Sequence, residues 1–212
     1  MKNIGKIHID KDKVLKFLGY GQRKPPQIIQ KKLNEECEGV YPFIKPQIHT
    51  KIFKIIHKDN HQITLENNYV LKGEYAFNQL KICERVCVAL YTIGKEMDHK
   101  IKYYANNNEM MRGMILDKIG VVALDDIKEG IKLKLLKEVA PLKISSEIYP
   151  GEKDFSIFNQ RIIFDLLKDE NMHICINEEY QFFPIKTVGV IFGLGRKAHN
   201  RDLCESCENK CF

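Results

Sequence analysis

The chain has 212 residues, 44% of them apolar, which is enough for one folded unit whose core needs no covalent staples. Its 34 Lys and Arg against 28 Asp and Glu leave a net charge of +6, but the basic residues are interleaved with acids along the whole length, the pattern of a solvated surface, and nucleic acid is set aside as a partner. Lys2, Lys6, Lys11 and Lys13 interrupt every candidate leader window and nowhere do about 18 apolar residues run together, so a cytoplasmic location away from membranes is expected.

In chain order, Lys6–Ile9 reads as a short strand. Asp10 then N-caps a helix over Lys11–Leu18, with Val14, Phe17 and Leu18 on one face and Gly19 as its stop. Pro25 and Pro26 open a second helix to about Cys37, with Ile28, Ile29 and Leu33 turned inward, before Pro42 and Pro46. Thr50–His57 and Gln62–Leu65 are rich in β-branched residues, and the Lys58-Asp59-Asn60-His61 turn between them predicts a hairpin.

From Tyr75 to Leu90, Ala76, Leu80, Cys83, Cys87 and Leu90 recur at helical steps, predicting a helix with both cysteines on its buried stripe. No His or acid joins them there, so they read as small core residues rather than metal ligands. Lys95–Tyr104 and Glu109–Lys137 are helical by the same periodicity. The second carries Met110, Met114, Ile115, Ile119, Val122, Ile127, Ile131 and Leu135 inward, and Gly120 and Gly130 weaken it. A loop over Ile144–Asp154, a helix over Ser156–Leu167, and strands His173–Ile176 and Thr187–Leu194 follow. Helices with short, mainly antiparallel strands and no regular βαβ alternation make an α+β fold. Gly193-Leu194-Gly195 lacks a third glycine and a following helix, so no dinucleotide site is expected there.

The seven cysteines are an odd count. Cys37, Cys83, Cys87 and Cys175 lie far apart, in settings that fit a reducing compartment better than a disulfide framework. Cys204, Cys207 and Cys211 crowd the end of the chain at C-x2-C-x3-C spacing, and His199 is the one histidine near them. Three thiolates so placed can converge on one zinc ion or iron–sulfur cluster that needs a fourth ligand; the alternative is a tail of exposed thiols. Residues 1–198 are taken as one domain and 199–212 as a cysteine-rich tail.

Several segments in order resemble the activation domain of cobalamin-dependent methionine synthase and its free-standing relatives. Val14-Leu15-Lys16-Phe17-Leu18-Gly19-Tyr20 is similar to the end of the family's first helix. Thr92-Ile93-Gly94, Leu116-Asp117-Lys118-Ile119-Gly120 and Ala123-Leu124-Asp125 are similar to its central helices. Tyr149-Pro150-Gly151-Glu152-Lys153-Asp154-Phe155, followed by Gln160 and Ile163-Phe164-Asp165-Leu166-Leu167, resembles its most specific stretch. Phe183-Pro184-Ile185-Lys186-Thr187-Val188 and Gly193 follow at the right distance.

The resemblance implies a methionine synthase activation-like fold that binds S-adenosylmethionine and presents its methyl group to a corrinoid cobalt. The protein would then be an accessory for reductive reactivation of a corrinoid-binding methyltransferase, a methionine synthase lacking its own activation domain, with no turnover alone and with flavodoxin or ferredoxin as the electron source. Cobalamin would sit on that partner, since nothing here is similar to the Asp-x-His-x-x-Gly signature that holds it. The other readings are a metal- or cluster-bearing redox protein acting on a corrinoid protein without S-adenosylmethionine, and a binding chaperone for a corrinoid protein that needs neither ligand.

For a ligand loop, Pro150 and Gly151 permit close backbone approach and a free N–H at Gly151, while Tyr149 and Phe155 offer aromatic faces to a sulfonium. Asp154 and Gln160 either meet the ligand or fix the loop, and Asp125 matches the family's helix acid. Glu147 stands where many members carry arginine, and Gly151-Glu152-Lys153 where they have Gly-Tyr-Gly. The bidentate carboxylate partner is therefore missing.

Overall fold

The computed structural model describes residues 6–197. Asp10 caps the first helix as expected, its Oδ1 accepting from the amides of Asp12 (2.9 Å) and Lys13 (3.1 Å). That helix, α1, covers Lys11–Leu15 and passes into a wider turn over Lys16–Tyr20, where Gly19 takes φ 87°. α2 (Gln27–Gly39) buries Ile29, Leu33, Glu36 and Cys37 and leaves Ile28 half exposed, so the inward stripe is rotated from the expected one. Lys6–Ile9 forms no strand, although Ile7 and Ile9 are buried.

The hairpin is present as β1 (Gln47–Asp59) and β2 (Gln62–Leu65), followed by β3 (Val70–Lys72) and the short helix α3 (Glu74–Leu80). The expected helix over Tyr75–Leu90 stops at Leu80, and Arg85–Thr92 is strand β4. The reason lies in burial. Val86 to Thr92 is buried at every position, so this central strand needs apolar side chains on both faces, and helical spacing among them is incidental. Cys87 lies on β4 and Cys83 in the turn before it, both fully buried.

α4 (Lys95–Asn106) and α5 (Met110–Glu138) follow, and then β5 (Lys143–Ile148) where a loop was expected. The chain continues through α6 (Asn159–Leu167), β6 (Cys175–Ile176), β7 (Phe182–Phe183) and β8 (Thr187–Gly195). β6 is shorter than the predicted strand, and α6 starts later than its predicted helix.

Six strands form one antiparallel sheet in the order β3-β2-β1-β4-β8-β5, and β6 pairs only with β7. Alternation along the strands divides the core in two. Cys87, Ala89 and Tyr91 of β4 and Val190 and Phe192 of β8 face α1, α2, α4 and α5. Val86, Val88 and Leu90 with Ile191 face α3 and α6. The fold is α+β, with helices on both faces of an antiparallel sheet.

Candidate functional site

β5 is an edge strand, and the chain leaves it into the loop singled out by its Pro-Gly pair. Pro150 is buried. Gly151 has φ +96°, and its N–H donates to the Phe155 carbonyl at 2.7 Å, so the amide expected to face a ligand closes the loop on itself. Phe155 N–H returns to the Glu152 carbonyl (2.9 Å), and the Phe155 ring is fully enclosed between α3 and α6 with no face left to offer.

Asp154 is committed to α3. That helix begins at Gly73, which has no side chain to cap with, and Asp154 accepts from the amides of Glu74 (2.6 Å, Oδ2) and Tyr75 (3.0 Å, Oδ1). These backbone donors, Tyr75 first, hold its carboxyl below the usual carboxylate range. Gln160 lies half-buried in the first turn of α6, its N–H donating to Ile157.

The remaining expected residues meet on the other side of β5. Glu147 accepts from the Tyr149 hydroxyl and lies 3.5 Å from Lys128 and 3.8 Å from Lys132 of α5. Asp125, also on α5, pairs with Lys13 (2.8 Å) and Lys128 (3.1 Å), so α1, α5 and β5 share one charge network. Burial, then Glu147, pushes the Tyr149 phenol far up, and Tyr91 beneath it is raised for the same two reasons. Both phenols stay protonated. Glu147 therefore serves as a hydrogen-bond acceptor for Tyr149 and a counter-ion for Lys128 and Lys132.

Outside that network the loop borders a cleft of about 710 Å³ against α3, lined by Glu74, Tyr75, Asn78, Gln79, Lys81, Lys153 and Asp154. Lys153 Nζ lies 5.2 Å above the Tyr75 ring, and Lys153 itself holds φ 50°, uncommon for a non-glycine residue. Glu152 Oε2 accepts from Tyr149 N–H (2.9 Å) and from the Tyr75 hydroxyl (3.3 Å), tying loop to helix. Tyr75, Glu152 and Lys153 were not among the expected site residues. Tyr75 carries no local signal, because its partners lie on a loop far along the chain.

His199, Cys204, Cys207 and Cys211, the expected metal ligands, lie outside the described residues. Among the described residues no group of three or more His, Cys, Asp or Glu could hold a metal ion. Cys175 is exposed, whereas Cys37, Cys83 and Cys87 are buried and suited to packing. Burial pushes the Cys37 thiol up to about 11 and Cys87 to about 12, and it raises Cys83 as well, so none is a ready thiolate.

No protein-family profile matches the chain, and no curated protein matches it. Solved structures do. The chain is similar to one described as the crystal structure of the MetH reactivation domain bound to AdoHcy. The TM-score is 0.61 at 10% identity, covering 82% of this chain and 67% of that one. At that identity the likeness is one of fold, and it matches the α+β architecture and the reactivation-domain resemblance carried by the sequence motifs.

Proposed function

We propose that this protein binds S-adenosylmethionine in the cleft between α3 and the Tyr149–Phe155 loop and presents its methyl group to the cobalt of a corrinoid-binding methyltransferase met in trans. One observation carries the reading: a chain with the reactivation-domain fold forms, beside its Pro150-Gly151 loop, a cleft of about 710 Å³ holding both an aromatic face and a cation. The Tyr75 face already attracts the Lys153 ammonium, and the same quadrupole attracts a sulfonium. Lys153 and Lys81 supply cations for the amino acid carboxylate in place of the family's arginine, and Asn78 and Gln79 supply amides for the adenine edge.

The chemistry belongs to the partner's corrinoid. Reduced by one electron from a flavodoxin- or ferredoxin-like donor, that group would supply the nucleophile for the methyl carbon, with S-adenosylhomocysteine as the leaving group. The role of this chain is to hold the methyl group in line, a positioning effect rather than acid–base catalysis.

Calorimetry with S-adenosylmethionine on the full chain, Gly151→Val and Tyr75→Leu is the test. A Cβ at Gly151 meets only Ile157 Cδ1, at 3.5 Å, so Gly151→Val should fold. A β-branched residue at φ +96° nevertheless forces the loop out of shape, and affinity should drop by more than about tenfold. Tyr75→Leu should weaken binding by a similar factor. No binding to the unmodified chain at millimolar ligand, or equal binding by both variants, overturns the proposal.

A further inference from the structure

β1 is longer than either strand beside it. It pairs with β4 over Gln47–Lys54 and with β2 only from Ile55 onward, so among the described residues no strand covers the outer edge of Gln47–Phe53. The hydrogen bonds at the crossover fix which groups point outward. Lys54 faces the β2 side, its carbonyl accepting from Glu66 N–H (3.0 Å) and its N–H donating to Glu66 Oε1 (3.2 Å), while Ile55 N–H turns to Glu84 on the β4 side (3.1 Å). Because backbone groups alternate along a strand, the N–H and C=O groups of Ile48, Thr50 and Ile52 point to the open edge.

That edge is not flat. It forms one side of a cavity of about 820 Å³, closed on one face by Ile7 and Ile127 and on the other by Leu166 and Leu167 of α6. No proline or bulge lies between Gln47 and Phe53 to blunt it; the bulge in β1 comes later, between Ile55 and His57. Its two walls differ in chemistry. The wall toward α5 is apolar. The wall toward α6 sets Lys51, Lys168 and His173 around Leu166 and Leu167; Lys168 also pairs with Asp165 at 3.2 Å, and the acid lining the wall, Asp169, is held by His49 Nδ1 at 3.2 Å. His173 N–H donates to Gln47 Oε1 (3.0 Å) and closes the end of the groove.

We propose that this groove takes an extended segment of a partner protein as an added strand beside β1, with apolar residues toward Ile7 and Ile127 alternating with acidic residues toward Lys51 and Lys168. Period-two alternation puts successive side chains of such a strand against opposite walls, and the two walls ask for those two chemistries. Walls standing on both sides of the edge admit a single extended segment and hinder edge-to-edge pairing of two copies of this chain. The groove is separate from the α3 cleft, so the proposal stands or falls independently of S-adenosylmethionine binding.

The test uses the full chain and two labelled peptides, acetyl-Glu-Val-Glu-Val-Glu-Val-Glu-amide and its all-lysine counterpart, read by fluorescence anisotropy and by amide hydrogen exchange. The acidic peptide should bind, the basic one should not, and the amides of Ile48, Thr50 and Ile52 should become protected on binding. Thr50→Pro removes one outward N–H without touching the β4 ladder and should weaken the acidic peptide by about tenfold, the loss of one edge hydrogen bond. Lys51→Glu/Lys168→Glu, which leaves the backbone alone, should exchange the preference between the two peptides. Three results overturn the proposal. They are equal binding of both peptides or of neither, protection of those amides in the peptide-free monomer because the chain's own terminus fills the groove, and a dimer that Thr50→Pro dissociates.

Discussion

Gly193 of β8 stands where a Cβ would run into Ser146 Oγ of β5, with Cys83 Sγ at 2.7 Å and Leu80 Cδ2 at 2.8 Å. Three elements close on this one missing side chain. Gly193→Ala should therefore cost about 2–3 kcal/mol through forced separation of β8 from α3, measured as a lower urea midpoint at unchanged slope. An unchanged midpoint would mean that α3 yields freely. The glycine pair around Leu194 was legible as no phosphate cradle, but its reason for existing was not, because Cys83 and Ser146 are remote in sequence. The same holds for Asp154. Its place in a motif marked it as important, and only the fold assigns it to the amides of α3.

At the scale of elements, α2, α4 and α5 are clamped through one buried acid. Glu36 accepts from the Tyr104 hydroxyl (3.0 Å) and pairs with Arg112, which also reaches Glu35 and, at 3.1 Å, Glu109. Glu36, first among its partners, holds the guanidinium in its charged form, and burial, then Glu36, raises the Tyr104 phenol. Removing the arginine strands a carboxylate whose side chain is 7% exposed. Arg112→Ala should cost about 3 kcal/mol in denaturant melts, and Arg112→Lys should recover part of it. Adding Glu36→Gln to Arg112→Ala should restore stability relative to the single variant; a further loss would contradict the clamp. Helix periodicity located α4 and α5, but Met110 and Met114, expected inward at the start of α5, are 60% and 59% exposed, and the buried positions of α5 spread wider than one stripe. It misplaced β4 because a strand buried on both faces carries no alternation to read.

Across the whole molecule, lysines bind the helical layer to itself and to the strands. Asp125 joins α5 to α1 through Lys13, and Asp117 joins α5 to the start of β8 through Lys186. Burial pushes both carboxyls up, but the lysines outweigh it and hold them below the usual range. A carboxyl lowered by folding contributes stability that is present above its unfolded value and lost as pH falls through its folded one. The urea midpoint should therefore drop as pH falls below about 4. Asp125→Asn and Asp117→Asn should each flatten that drop, by about 0.5 kcal/mol after solvent screening. An acid limb as steep in both variants as in the parent would show that these pairs contribute nothing. None of the described helices is long and apolar enough to cross a membrane.

The sequence by itself determined the α+β class, the long helices, the first hairpin and the loop on which a ligand reading rests. Each depends on short-range periodicity, capping or proline-glycine chemistry, which a linear chain displays. Asp10 over α1 and Gly151 at positive φ are of that kind. Tertiary structure alone decided that β4 is a central strand, that Phe155 and the Gly151 amide turn inward, that Tyr75 and Lys153 face one cleft, and that no strand among the described residues covers the outer edge of β1 over Gln47–Phe53. Those outcomes are set by which surfaces meet after the chain has closed on itself. Burial on two faces and hydrogen bonds between distant residues leave no periodic trace along the sequence.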